Sequence, residues 1–318
     1  MRTFALHGLA IASDVPLDAW EVERAPGTTI VAHPTRPIPT EQPAGTLLSH
    51  IDAVDGDGRR LLSVVQVVGG FLLRYHGLAE FAVSPDLSSV SLALDPSAHE
   101  EMGSLIAGAG LGAFLVTMGA DIALHAGAFR LGNQVVAIVG DTGFGKSTLA
   151  ALACASGAEL VTDDTLRVGV DEPEVWCYPG SRSVRLRTSA AGMTGLFPLV
   201  PARTSPDHRA VLELARSLPE GGPLVRLPLA AVVLPDPEGG CKDRRLRRLS
   251  PQAALARLLP CGRMWNVIDP AVQARHFAAC AVMARSVPAY SLSPPERYWL
   301  SPDLGAELVG LLPTVPAG

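Results

Sequence analysis

Gly140-Asp141-Thr142-Gly143-Phe144-Gly145-Lys146-Ser147 puts three glycines, a lysine and a hydroxyl into one frame of eight residues. The frame fits G-x-x-x-x-G-K-[ST], a phosphate-binding loop. Its glycines let the backbone turn tightly and aim N–H groups at phosphate oxygens. Lys146 is expected to face solvent and to place a charge on the β- and γ-phosphates. Ser147 is placed to ligate Mg²⁺, with Thr148 completing the loop's end. The chain has two lysines, Lys146 and Lys242, so a lysine in this frame by chance is improbable.

Phosphoryl transfer also needs a carboxylate for the metal and a group to take the nucleophile's proton. Asp163-Asp164 fit both needs, with Asp163 assigned to the metal beside Ser147. A plain turn at a strand end is the bland alternative for such a pair. His125 lies in an apolar stretch before the loop, and on its own reads more readily as a satisfied core histidine. Arg182, Arg185 and Arg187 would suit a transferring phosphate or an acidic acceptor, and a solvated strand face equally well. Arg244, Arg245, Arg247 and Arg248 read as a surface run.

The elements that must position these groups follow from patterning. QVVAIV at 134–139 is an apolar, β-branched strand leading into the loop, and STLAALACA at 147–155 is a helix stopped by Gly157. Strand, glycine loop and helix in that order put the positive end of the helix under the phosphates. Residues 122–131 are expected to form one strand paired with the loop strand across Gly132-Asn133. ELVTDD at 159–164 is a strand ending in its two carboxylates, followed by a strand at 165–170. Residues 174–187 read as a loop around Pro179-Gly180 and then a basic segment. Farther on, 229–234 and 288–292 are strands, 239–248 is a charged surface turn, and 251–259, 270–285 and 302–312 are helices.

Ahead of this core, 4–12 reads as a single strand and the proline-bearing stretch 31–45 as a loop. Strands follow at 49–54, 60–68, 71–75, 78–83 and 90–94. Asp55-Gly56-Asp57-Gly58 and Gly69-Gly70 mark hairpins. The first third is therefore a mainly antiparallel β part with a structural or acceptor-recognition role. A helix at 101–117 links it to the core. Its LIAGAGLGAFLVTMGA is shorter than a membrane span requires and reads as a buried helix; its glycines imitate a dinucleotide fingerprint but lack the strand context.

The chain has 318 residues, 48% of them hydrophobic and 18% charged, enough for a large core and two parts, 1–100 and 101–318. A net charge of −5 argues against binding nucleic acid through bulk electrostatics. Five scattered cysteines without a C-x-x-C pair suit reduced thiols in a cytoplasmic protein, and the polar N-terminus does not suit a signal peptide.

Together, His125, Gly140–Ser147 and Asp163-Asp164 resemble, in order and spacing, the core of HPr kinase/phosphorylase, which is related to phosphoenolpyruvate carboxykinase. FALHGLAIASDVPL, LLRYHGLAEFAV, CYPGSRSVRLR and ARSVPAYSLS are similar to a divergent branch of that family. Some members of that branch phosphorylate a serine of lasso and related precursor peptides. The resemblance implies an α/β P-loop kinase fold, ATP and Mg²⁺, and an active-site role for His125 with the acidic pair. The chain lacks the E-x-R-G segment and the C-terminal signature of the regulatory enzyme. The resemblance therefore does not extend to phosphorolysis or to HPr as acceptor. The expected function is transfer of the γ-phosphoryl group to a hydroxyl, foremost a serine of a peptide or protein. A small-molecule kinase and a non-catalytic nucleotide switch are the alternatives. No nucleic-acid or membrane partner is expected, and a homo-oligomer is compatible with the sequence.

Overall fold

The computed structural model of the protein describes residues 1–52, 60–187, 202–205, 208–236, 245–263, 267–293 and 302–312. The fold is mixed α/β and strand-rich. The first strands are β1 (Arg2–Leu6), β2 (Leu9–Ser13), β3 (Trp20–Glu21), β4 (Thr28–Ala32), β5 (Thr46–Asp52), β6 (Arg60–Val67), β7 (Gly70–Tyr75), β8 (Ala79–Val83) and β9 (Ser89–Leu94). They form one sheet in the order β3-β1-β2-β4-β9-β8-β7-β6-β5, in which only the pairs β2–β4 and β4–β9 are parallel among the described residues. The expected single strand at 4–12 is instead a hairpin. His7 and Gly8 have φ of 51° and 70°, the positive pair that a two-residue turn matched to strand twist requires. The Asp55–Gly58 turn lies outside the described residues.

α1 (Glu100–Ile106), a π-helical segment (Ala107–Leu111) and α2 (Gly112–Met118) run on as one helix. Ile106, Leu111, Phe114 and Leu115 share a core with Phe4, Leu73 and Phe81 of the sheet. Each such side chain contributes about 1.5–3 kcal/mol on burial. Glu101–Met118 is long and apolar enough to cross a membrane by length and composition, yet its apolar side chains cover this sheet. Its glycines serve close approach: a Cβ on Gly110 would lie 1.6 Å from the Tyr75 hydroxyl.

The second sheet is built around the phosphate-loop strand. Its strands are β10 (Ile122–Leu124), β11 (Ala126–Leu131), β12 (Gln134–Val139), β13 (Glu159–Thr162), β14 (Leu166–Asp171) and β15 (Glu174–Cys177). Beyond them come β16 (Ser183–Leu186), β17 (Ala202–Thr204), β18 (Ala210–Glu213), β19 (Leu227–Pro235), β20 (Arg245–Arg248) and β21 (Ala289–Ser293). The main order is β10-β14-β15-β19-β12-β11-β13, with β21 beside β19 and a small β16-β18-β17 sheet apart. β12 shows the period of two: Val135, Ala137 and Val139 face one core, Val136 and Ile138 the other. Helices α4 (Pro251–Leu258) and α5 (Pro270–Ser286) cover the first face, and α3 (Lys146–Ala155) and α6 (Pro302–Val309) the second. A strand buried on both faces reads as an unbroken apolar run, as QVVAIV does.

Two expectations are corrected here. Residues 174–177 form β15 rather than a loop, because Val168–Asp171 offers them an antiparallel partner. The stretch 122–131 is two strands: β10 pairs with β14, β11 with β12 and β13, and the change of partner falls at His125.

Candidate active site

The phosphate loop joins β12 to α3. Gly143 and Gly145 have φ of 92° and 79°, a region where a Cβ is strained, so the loop needs glycine at both positions. Gly145 is the N-cap of α3 and offers no side chain to the first-turn N–H groups. That leaves an amide-lined concavity at the positive end of a helix.

Lys146 is only 6% exposed, which corrects the expectation that it faces solvent. Its Nζ donates to the Asp141 carbonyl at 2.8 Å, folding the side chain back over the loop. Burial is the main influence on its pKa and lowers it to about 8, while Asp164 and Asp163 pull the other way.

The aspartates stand at the end of β13, on the far side of the loop. Asp163 Oδ1 accepts from the Ser147 hydroxyl at 2.7 Å and Oδ2 from the Arg185 backbone N–H at 3.1 Å. Asp164 has a φ of 72°, and this left-handed residue turns its carboxylate away from the strand toward Arg263. Arg263 Nη2 donates to its Oδ2 at 2.5 Å, His125 Nε2 lies 3.3 Å from its Oδ1, and Arg185 Nη2 is 3.8 Å away. Arg263 is itself fixed by donation from Nε to the Thr165 hydroxyl at 3.2 Å.

These settings push the two carboxyls apart. Burial, then the neighbouring Asp164 charge, raises the pKa of Asp163. Burial would raise Asp164 too, but Arg263, His125 and Arg185 outweigh it and hold Asp164 well below the usual carboxylate range. Burial also lowers the pKa of His125, against the pull of Asp164, so the imidazole is neutral at pH 7. Paired carboxylates with divergent settings are what acid–base assignments rest on.

Two cavities meet at this pair. One, of about 400 Å³, opens over Gly143, Gly145 and Lys146–Thr148, with His125, Arg187, Arg209 and Arg263 around it. The other, of about 370 Å³, lies between Leu6-His7, Pro16–Asp18 and the helix residues Glu101–Ala109. Asp163, Asp164 and Arg185 line both.

The structure thus brings together His125, Thr142, Gly143, Gly145, Lys146, Ser147, Thr148, Asp163, Asp164, Arg185 and Arg187. Gly140 starts the loop at the end of β12, where its N–H faces the His125 carbonyl at 3.4 Å. Asp141 enters through its carbonyl, bonded to Lys146, and Phe144 donates its N–H to the same carbonyl at 3.3 Å. Arg182 is directed elsewhere: it is paired with Glu213 and its guanidinium sits 4.3 Å above the Trp20 ring centroid. In β16, Val184 and Leu186 face the core, which puts Arg185 and Arg187 on the opposite side, toward the cavity. Sequence reasoning missed Arg263, Arg209 and His7. None sits in a patterned spacing; Gly262-Arg263 beside a short helix is as near to a signal as the chain offers.

A divalent cation fits this donor set. No group of three or more His, Cys, Asp or Glu converges among the described residues, so a protein-only metal cage is absent there. Ser147 and Asp163 supply two hard oxygens side by side, as suits Mg²⁺, which keeps water and phosphate oxygens in the rest of its shell. The raised pKa of Asp163 marks a buried carboxyl short of positive charge, which such an ion would supply.

No protein-family model and no curated protein matches the sequence. Among solved structures, the HPr(Ser) kinase/phosphatase from Coxiella burnetii is similar over 59% of this chain and 88% of its own, at 13% identity and a TM-score of 0.32. That is a distant structural similarity, and the functional assignment does not rest on it.

Proposed function

We propose that the protein is a Mg²⁺-dependent kinase that moves the γ-phosphoryl group of ATP to a hydroxyl, foremost a serine of a peptide or protein. The observation that carries this is the shared carboxylate pair: a glycine-and-cation cavity on one side, a second cavity on the other, and Asp163-Asp164 between them. A nucleotide switch has no need of a second cavity opening on the same two carboxylates.

In this reading Lys146, Arg263 and the amides at the start of α3 hold the triphosphate and oppose the charge that develops on its oxygens. Ser147 and Asp163 would hold Mg²⁺, which would supply positive charge against the phosphate. Asp164, kept ionised by Arg263 and oriented by His125, receives the acceptor hydroxyl. The acceptor oxygen forms its bond to the γ-phosphorus while the bond to the β–γ bridging oxygen breaks. That oxygen keeps the electron pair as ADP leaves, and the hydroxyl proton passes to Asp164. Residues 1–100 serve acceptor recognition and 101–318 the transfer chemistry, with the α1–α2 helix at the start of the second part packed on the sheet of the first.

The test is to incubate the protein with Mg²⁺, γ-labelled ATP and serine-containing peptides. Label on a peptide, lost when its serine is changed to alanine, is the expected result. Hydrolysis to free phosphate with no labelled acceptor would favour the switch, and absence of nucleotide binding would remove the proposal altogether.

A further inference from the structure

The two cavities carry opposite charge. Around the phosphate loop Lys146, Arg185, Arg187, Arg209 and Arg263 face the two aspartates. In the second cavity Asp18 and Glu101 join Asp163 and Asp164, and Arg185 is the cation opposed to them. Apart from His7, its remaining lining is apolar or hydroxyl-bearing, including Leu6, Leu17, Leu105, Ser104 and Ser181.

A second, independent feature lies in the wall of the same cavity. His7 is 1% exposed, and its Nε2 lies 3.3 Å from the Gly108 carbonyl. A carbonyl takes a hydrogen bond only from a protonated nitrogen, so Nδ1 carries the lone pair. That Nδ1 is buried and has no hydrogen-bond partner among the described residues. Its ring is wedged between backbones: a Cβ on Gly180 would lie 2.7 Å from Nδ1, and one on Gly112 would lie 3.0 Å from Cδ2. A buried acceptor without a donor costs about 1–3 kcal/mol. Asp18 is fixed as well, taking the N–H of Ser183 at 3.2 Å and the Ser183 hydroxyl on one oxygen.

We infer that the second cavity takes a hydroxyl acceptor that carries a positive charge next to the hydroxyl, an ammonium or guanidinium held by Asp18 and Glu101. This rests on the kinase reading and adds the chemical class of its acceptor. Of the options open for the basic segment, it disfavours an acidic acceptor: Arg187 lines the phosphate side alone, Arg185 lines both cavities, and acids outnumber cations in the second. Two sources share this chemistry, a peptide serine beside Lys or Arg and a small amino alcohol.

The experiment uses the full chain with Mg²⁺-ATP and three peptides that differ only beside the serine, with Lys, Ala or Glu there. Ethanolamine and glycerol are run in parallel. Expected is kcat/KM in the order Lys, Ala, Glu, with roughly tenfold between the ends, expressed in the KM of the acceptor and not of ATP. Glu101 is exposed, so its replacement leaves the packing intact. Glu101→Gln should compress the series and Glu101→Lys invert it, and Asp18→Asn, checked for folding, should compress it in the same way. Labelling of ethanolamine over glycerol, with peptides silent, keeps the charge rule and assigns the small-molecule source. A series flat or favouring Glu, or one untouched by Glu101→Lys, overturns the inference while leaving the kinase intact. Nucleotide binding with no transfer to any of the five removes the kinase reading and this inference with it.

Discussion

The two cavities that meet at Asp163 and Asp164 are close in size, about 400 and 370 Å³, and opposite in charge. One is built from a glycine loop, a helix start and five cations. The other is built from a hairpin turn, a π-bulged helix and acids. On the proposed reading, the difference lets one carboxylate pair serve two partners. Asp163 is bonded to the Ser147 hydroxyl and the Arg185 N–H, with its pKa raised by burial. Asp164 is held ionised by Arg263, His125 and Arg185. A site that only bound nucleotide would need the first cavity and one aspartate.

The comparison breaks most sharply on the phosphate side. Lys146→Ala should lower single-turnover phosphoryl transfer by about 10³-fold, leaving acceptor binding measured by calorimetry in place. Comparable loss of acceptor binding would show that the cavities do not act separately.

Arg263→Ala removes the nearest counter-charge of the half-buried Asp164 carboxylate, which keeps His125 and Arg185 nearby, and should cost about 2 kcal/mol in denaturant unfolding. The sign with pH follows from Asp164, whose folded pKa is depressed. Its stabilising contribution is present above the unfolded carboxylate value and is lost as pH falls through the folded one. Without Arg263 the folded pKa is less depressed, so that acid-side loss should be smaller and complete at a higher pH. An unchanged acid limb would show that Asp164 does not depend on Arg263.

His125→Ala should slow transfer by about 10²-fold with a small change in melting temperature, since the backbone bonds of residue 125 to Cys261 and Gly140 remain. A fall in stability with the rate per folded molecule unchanged would make it a core histidine after all.

The smallest expected effect sharpens the acceptor side. Burial lowers the pKa of His7 to about 4. A base with a depressed folded pKa stabilises fully above its unfolded value and loses this as pH falls. His7 should therefore cost about 2 kcal/mol of stability between pH 6.5 and 5. His7→Gln should flatten that slope, as read from chemical unfolding at several pH values; an unaltered slope would mean that the ring is not held neutral by burial.

Much of the phosphate side was legible in the sequence because its parts are neighbours in the chain. A strand, three glycines, Lys146 and Ser147 fall within fourteen residues of one another, 134–147, and local spacing fixes their geometry. Asp163-Asp164 follow one helix later. The second cavity was not legible, because tertiary packing assembles it. His7 and Gly108 are 101 residues apart, and Asp18 and Ser183 are 165 apart. The hairpin at His7-Gly8 was hidden in an apolar run, since His-Gly is not the Asn-Gly or Asp-Gly pair that signals such a turn. The split at His125 was hidden because alternation shows which way side chains face, not which strand is the partner. Lys146 was misplaced for a related reason: charge suggests exposure, but a loop that wraps its lysine over the Asp141 carbonyl buries it.

The central claim is that donor and acceptor meet directly across Asp163 and Asp164, one from each cavity. The stereochemistry at the transferred phosphorus tests it most directly, with ATP made chiral at the γ-position by oxygen isotopes and one sulfur in place of oxygen, and the configuration read in the phosphorylated acceptor. A single in-line displacement between the cavities inverts the phosphorus, and inversion is the predicted result. Retention would mean two displacements through a phosphorylated protein side chain and would contradict the account.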